Sequence, residues 1–592
     1  MIKKYLKHFS FFYDYLGHRI FINMLSNISV GLMDGFGLVM FLPLLQMVGG
    51  DKSVTSDDLG NLRFLTDGIQ KMGFELTLNT ILAIMLLFFV LKGAMRFGES
   101  YYKTVMQNHF VKAIRLKSLK LLKEYRYKAF VNSDSGRIQN TLTGEVIRVA
   151  GASAAYFNTL QGIIMVLVYS FLAFLANPQF AIMVLIGGML SNFIFSFINK
   201  KTITSSRMIT REGHEFQGLL IQEVSFFKYL KATGLLKSYS NKLENIVKSI
   251  DRNNRQIGFY GAILYSCKEP IIMLVVVSVI YIQTTVFSQS LGLIILSLLF
   301  FYRSLTFLMS LQTFYNTFLS SAGAVENMQE FFKDLENEKE VKIEASKVDF
   351  DQTIELRDVK LNYGNKTVLD DINLTIKKNE SVALVGESGS GKTTLVNLIT
   401  GLIPTDRGEL LVDGKSLKEI SLQDFQNSIG YITQEPVIFS DTIFNNVTFW
   451  EEKTPENLKK FWKALEQASI ADFVHTLEHK EDALMGNNGI LVSGGQKQRI
   501  SIARELYRDI DILIMDEATS ALDSETERII QNNLDALKGK YTILIIAHRL
   551  ATVKNVDKVI LLSNGKIENE GNFETLMNNS GAFKRMVDMQ GI

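Results

Sequence analysis

The chain has 592 residues, 47% of them hydrophobic, with 63 Lys and Arg against 61 Asp and Glu and a single cysteine. That length exceeds one compact domain, the balanced charge without a basic tail argues against nucleic acid as a partner, and Cys267 alone excludes an intrachain disulfide. In chain order, Met1 to Gly17 mixes Lys3, Lys4, Lys7 and His8 with aromatics and lacks the unbroken apolar core of a cleaved signal, so it reads as an amphipathic helix on the inner membrane surface. Six apolar runs follow, at 19–47, 78–98, 156–176, 179–199, 259–285 and 291–318. Each is long enough to cross a hydrocarbon layer of about 30 Å as a helix.

Six spans put both ends of this region on one side. The stretches after the second and fourth spans are long and basic, with Lys112, Arg115, Lys117, Lys120, Lys123 and Arg126 in one and Lys200, Lys201, Arg207 and Arg211 in the other. The positive-inside rule faces them to the cytoplasm. On the outer side Gly49 to Thr77 is a long connection. There Leu59, Leu62, Leu65, Ile69 and Met72 recur opposite Arg63, Asp67, Gln70 and Lys71, which predicts an amphipathic helix over 59–72 at the outer interface.

Several charges fall inside the spans: Asp34 in the first, Lys92 and Arg96 in the second, Lys268 and Glu269 beside Pro270 in the fifth, Arg303 in the sixth. A charge at mid-membrane costs about 2.5–3.5 kcal/mol on insertion scales, so each should face a polar cavity or a partner. At a rise of about 1.5 Å per residue, Lys92 and Arg303 lie ~20 Å below the outer ends of their spans and Lys268 ~14 Å above the inner end of its own. Lys92 and Arg96 are four apart and share a helix face. Two readings stay open: Lys92, Arg96, Lys268 and Arg303 contact an anionic substrate, or they snorkel and pair structurally, Lys268 with Glu99 or Asp34.

Between Glu326 and Gln352 the composition turns polar and acidic, which marks 326–352 as a linker between a membrane domain, 1–325, and a soluble domain, 353–592. In the latter, the apolar strand Ser381 to Val385 runs into Gly386-Glu387-Ser388-Gly389-Ser390-Gly391-Lys392-Thr393, followed by Thr394. This is a phosphate loop: glycines let backbone N–H groups curl around phosphate oxygens, the next helix points its positive end at them, Lys392 adds a charge, and the Thr393 hydroxyl suits Mg2+. Further on, Ile512 to Asp516-Glu517 is a buried strand ending in two acids, placing Asp516 on Mg2+ and Glu517 on the attacking water.

The phosphate loop, Gln434, Val492-Ser493-Gly494-Gly495-Gln496, Asp516-Glu517, Ser520-Ala521-Leu522-Asp523 and His548 fall in the order of the ATP-binding cassette family, which the chain resembles along its whole length. The resemblance implies an all-α six-helix exporter domain joined to an α/β P-loop cassette that binds ATP and Mg2+. It implies that Tyr363 stacks on adenine, that Gln434 senses Mg2+ and the attacking water, that Glu517 is the general base and that His548 meets the γ-phosphate. It also implies that Asp523 belongs to the same nucleotide site. Ser493, Gly494, Gly495 and Gln496 are expected to close on the nucleotide of a partner cassette, making the chain half of a homodimer, with a heterodimer as the other option. Docking helices are expected near Val131 to Gln139 and Gln222 to Lys228. Two positions depart from the family pattern: Val492 replaces the usual leucine, and Asn487 stands where related exporters carry glutamate.

The outer helix together with the basic spans is similar to the bacterial flippases for lipid-linked oligosaccharides. The expectation is therefore an ATP-driven exporter of the bacterial inner membrane moving an amphipathic anionic lipid, foremost a polyprenyl diphosphate-linked glycan. The alternatives are a lipid A or phospholipid flippase, a drug or peptide exporter and, from another class, an ATP-gated channel or regulatory subunit.

Overall fold

The computed structural model describes residues 2–41, 43–44, 64–71, 73, 75, 77–176, 178–285, 291–340, 350–364, 366–486, 489–516, 532, 535–547 and 550–590. The chain divides into two units, one of Met1–Tyr125 and Ala129–Lys339, the other of Arg126–Lys128 and Glu340–Ile592.

The first unit is helical: α1 (Ile2–Leu16), α2 (Arg19–Val39), α3 (Phe64–Lys71), α4 (Leu78–Lys123), α5 (Ser135–Asn140), α6 (Val146–Ala176), α7 (Pro178–Ser225), α8 (Phe227–Ala232), α9 (Leu236–Ser266), α10 (Lys268–Thr285), α11 (Leu291–Ser320) and α12 (Ala322–Asn337). Among the described residues, Arg19–Val39, Leu78–Lys123, Ser135–Leu175 and Leu236–Ser278 are long and apolar enough to cross a membrane. The expected fourth and sixth spans fall in α7 and α11. With 46 and 48 residues, α4 and α7 are each about 70 Å long, so they continue well past a bilayer core. Thr77 caps α4 by accepting from the Thr80 amide at 3.3 Å, and Lys120 and Lys123 sit in its last turn, where cations complement the exposed carbonyls.

The expected fifth span is divided between α9 and α10 at Cys267, just before Pro270, whose ring removes a helical donor. Of the predicted outer helix, Phe64–Lys71 is helical, whereas Leu59, Leu62, Arg63 and Met72 lie outside the described residues. The acidic stretch after Glu326 is in large part the helix α12, because Val325, Met328, Phe331, Phe332 and Leu335 make an apolar face. That face joins a core shared with α1, where the Phe12 ring lies 4.8 Å from Tyr156 and 5.3 Å from Phe110. The first helix is thus packed as well as amphipathic.

The second unit holds two sheets. Strands β1 (Thr353–Tyr363), β2 (Lys366–Lys377), β4 (Arg407–Val412) and β5 (Lys415–Ser416) form an antiparallel sheet in the order β2-β1-β4-β5. The other sheet runs β10-β9-β3-β8-β7-β6, from β3 (Ser381–Val385), β6 (Ile429–Ile432), β7 (Ile512–Asp516), β8 (Thr542–Ile546), β9 (Lys558–Ser563) and β10 (Lys566–Gly571). Its β9, β3, β8, β7 and β6 are parallel. Parallel strands are covered on both faces, which explains the unbroken apolar runs. In β7, Ile512 and Ile514 pack with Leu395 and Leu398 on one side, while Leu513 and Met515 pack with Phe461 and Ile500 on the other.

Candidate functional site

The register of the parallel sheet sets the nucleotide site. Leu384 and Asp516 both pair with Ile546, and Ile432 pairs with Met515, so four strands end along one edge. From that edge emerge the phosphate loop, Asp516, the segment with Gln434, and Ala547, whose amide donates to Leu384 O at 3.1 Å. Glu517, Asp523 and His548 lie outside the described residues.

The phosphate loop needs its glycines for different reasons. A Cβ at Gly386 would lie 2.2 Å from Leu562 O, and Gly391, at φ 106°, leads into helix α13 (Lys392–Ile399). Lys392 Nζ donates to Gly386 O at 2.8 Å and Glu387 O at 3.0 Å, so the loop's own carbonyls hold the ammonium over it. Ser390 Oγ is buried with no hydrogen-bond partner among the described residues. An orphaned hydroxyl inside a turn of amide donors fits a phosphate oxygen. Glu387, Ser388, Gly389 and Thr393 are exposed, and Thr394 is half-buried.

Asp516 accepts from Tyr431 Oη at 3.4 Å. Burial, reinforced by the nearby carboxylate, pushes the Tyr431 phenol well up, so it remains a donor to Asp516 at physiological pH. Thr393, Asp516 and Gln434 are all oxygen donors, the set a hard divalent cation prefers. Tyr363 ends β1 with 38% of its surface exposed, leaving a ring face for stacking.

The signature stretch is a helix N-terminus. Ser493 caps α15 (Gly494–Tyr507; α14 is Ile443–Thr448) in a reciprocal box: its amide donates to Gln496 Oε1 at 2.8 Å and its Oγ accepts from the Gln496 amide at 3.3 Å. Ser493 and Gly494 are exposed and Gly495 and Gln496 half-buried, so the first turn presents backbone donors outward. Asn487 lies outside the described residues.

A residue that sequence reading passed over sits on the core side of the same helix. Arg504 is buried, and it donates to Asn446 O at 2.5 Å, Val437 O at 2.8 Å and Asn446 Oδ1 at 3.0 Å, with its guanidinium 5.2 Å from the Phe439 ring centre. It ties the signature helix to α14 and to the segment just after Gln434. The signal was an arginine four residues after Ile500, on the apolar side of the helix.

In the apolar helices of the first unit, Asp34, Lys92 and Tyr169 come together. Lys92 is ion-paired with Asp34 Oδ1, and Tyr169 Oη donates to Asp34 Oδ2. Gly35 lets α2 lie close to α6, since a Cβ there would come within 2.2 Å of Leu172 Cδ1. Tyr169 stacks on Phe307 with ring centres 5.4 Å apart, and Ser170 Oγ and Ser304 Oγ are 3.0 Å apart, which fixes α11 against α6. Arg303 and Arg96 are near enough to act electrostatically on Tyr169. Lys268 stands apart and donates to Ser310 Oγ at 3.0 Å. The alternative in which Lys268 pairs with Asp34 or Glu99 is not what the described residues form: Lys92 takes Asp34, and Glu99 Oε1 is buried without a hydrogen-bond partner among them.

A family model for the ABC transporter domain matches residues 369–520. The ATP-dependent lipid A-core flippase of Haemophilus ducreyi is 28% identical over 539 residues, spanning 89% of this chain and 91% of that protein. The flippase of the same name from Desulfotalea psychrophila is 40% identical over 259 residues, 43% of this chain and 45% of that protein's length. Among solved structures, a bacterial Atm1-family ABC exporter with ATP bound superposes with a TM-score of 0.80 at 18% identity, covering 98% of this chain and all of the other. Residues 369–520 thus form an ABC transporter domain, and the chain as a whole has the fold of an ABC exporter half, a helical domain joined to one α/β cassette.

Proposed function

We propose that the chain is an ATP-driven flippase that carries a phosphate-bearing lipid from the inner to the outer side of the bacterial inner membrane. The observation that carries the reading is the group at Asp34, which holds Lys92, while Arg96 and Arg303 have no ion pair among the described residues of these apolar helices. Such an excess of cations in the membrane is stabilised by an anionic headgroup. The sequence pointed first to a lipid-linked oligosaccharide; relatives named lipid A-core flippases favour the lipid A alternative, and both lipids share the phosphate chemistry.

Two chains form the working dimer, since the Ser493 to Gln496 turn presents donors outward from its own cassette. Thr393, Gln434 and Asp516 would hold Mg2+, which supplies charge neutralisation of the transferred phosphate. Lys392 leaves its loop carbonyls for phosphate oxygens, Ser390 Oγ gains the acceptor it lacks, and Tyr363 stacks on the base. Glu517 orients and deprotonates the attacking water and His548 meets the γ-phosphate. Closure of the two cassettes turns the cavity outward and hydrolysis resets it. The test is reconstitution in liposomes with labelled diphosphoryl lipid A. Wild type is expected to translocate it with ATP, Glu517→Gln to bind ATP without translocating, and Arg303→Ala to lose transport several-fold more than basal ATPase. Equal loss of both activities in Arg303→Ala would make that arginine structural.

A further inference from the structure

We propose that Asp34 is a resident counter-anion of the substrate site: in the empty cavity its carboxylate neutralises Lys92, and the phosphate of an arriving lipid takes Lys92 over while Tyr169 keeps hold of Asp34. The inference rests on the flippase reading above and adds to it a residue that sets selectivity without touching the cargo.

Three features of the group support the exchange. Asp34 is buried, 6% exposed, on a membrane helix, where an unpaired carboxylate is strongly disfavoured. It has two partners on its two oxygens, Lys92 on one and Tyr169 on the other, so losing the first does not leave it bare. The partners differ in mobility. Tyr169 is fully buried and stacked on Phe307, whereas Lys92 is a long, partly exposed side chain, its ammonium 5.1 Å from the Phe89 ring centre, with a stem that can swing.

The surrounding charges give the exchange a direction. Arg96, one turn after Lys92, and Arg303, on α11 beside the Ser304 contact to Ser170, have no ion-pair partner among the described residues. A phosphate drawn to these two arginines arrives beside Lys92 and offers it more negative charge than Asp34 does. A neutral or zwitterionic lipid brings no net charge, so the Lys92–Asp34 pair stays closed against it. Discrimination thus comes from an attractive element and from a competitor that a weak anion fails to displace.

The test uses the full chain in lipid nanodiscs, with ATPase stimulation titrated by diphosphoryl lipid A and, separately, by undecaprenyl diphosphate. Asp34→Asn frees Lys92, and the half-saturating concentration of the effective lipid is expected to fall by about fivefold or more. Tyr169→Phe leaves the pair but strands Asp34 after exchange, so its half-saturating concentration rises. Lys92→Gln should abolish the effect of Asp34→Asn in the double variant. A merely structural pair predicts instead that Asp34→Asn weakens binding, or that it still acts without Lys92; either result overturns the counter-anion. Response of the wild type with an unshifted Asp34→Asn curve also sinks it while sparing the flippase reading. If neither lipid stimulates the wild type, both readings fall together.

Discussion

Glu145 shows how a buried polar group is held at a cost. It ends the π-helical turn Thr141–Glu145 between α5 and α6, is 2% exposed, and accepts from Arg148 Nη1 at 2.9 Å. Arg148 in turn donates to Thr210 Oγ1 at 2.7 Å, so the pair joins α6 to α7. Burial raises the Glu145 carboxyl above its ordinary value despite the opposing effect of Arg148. An acid whose pKa is raised by folding favours the fold fully below its unfolded pKa, near 4.5, and this contribution is lost as pH rises through the folded value. Glu145→Gln keeps an acceptor for Arg148 without the charge. It should be neutral or stabilising by roughly 1 kcal/mol at neutral pH and should flatten the fall in melting temperature with rising pH. Scanning fluorimetry of both proteins from acid to neutral pH checks this; a variant that melts well below wild type at neutral pH would show that the ionised pair is net stabilising.

At the scale of elements, α15 does two jobs with its two ends. Its N-terminus carries the Ser493–Gln496 box, and its body carries Arg504 into the core, where three hydrogen bonds reach α14 and the segment after Gln434. Arg504→Met preserves bulk but leaves Asn446 O and Val437 O without their donor, so the cassette should lose about 3 kcal/mol. ATP hydrolysis should fall further than ATP binding, because the signature turn and Gln434 lose their common anchor. Denaturant unfolding and nucleotide titration on one preparation separate the two effects. The phosphate loop, the Asp516 strand and the capped signature turn were legible because each is a contiguous motif with a local reason. Arg504 and the Asp34–Lys92–Tyr169 group were not, since they join residues 58 and more apart, and a sequence shows a costly charge without showing its partner. The acidic stretch after Glu326 misled in another way: its composition was a linker's, but the spacing of Val325, Met328, Phe332 and Leu335 was a helix's, and burial of that face decided the outcome.

For the whole molecule, the question is whether one chain can complete a catalytic site, and mixing defective chains answers it. Lys392→Ala removes the loop's phosphate contact, while Ser493→Arg puts a bulky side chain on the exposed signature turn without disturbing Lys392. Each homodimer is expected to be inactive, since every site lacks one half. If the signature acts across the dimer, a mixed dimer holds one site with both defects and one with none. Random assembly makes about half the dimers mixed, so coexpression should restore roughly a quarter of the wild-type sites. If the signature served its own chain, every site in the mixture would carry a defect and vanadate trapping of nucleotide would stay at the level of the parents. Trapped nucleotide is the better readout than turnover, because it counts competent sites one by one even where hydrolysis at two sites is coupled. Recovery above both parents would place Ser493 opposite a partner's Lys392 and make dimerisation a working part of the transporter.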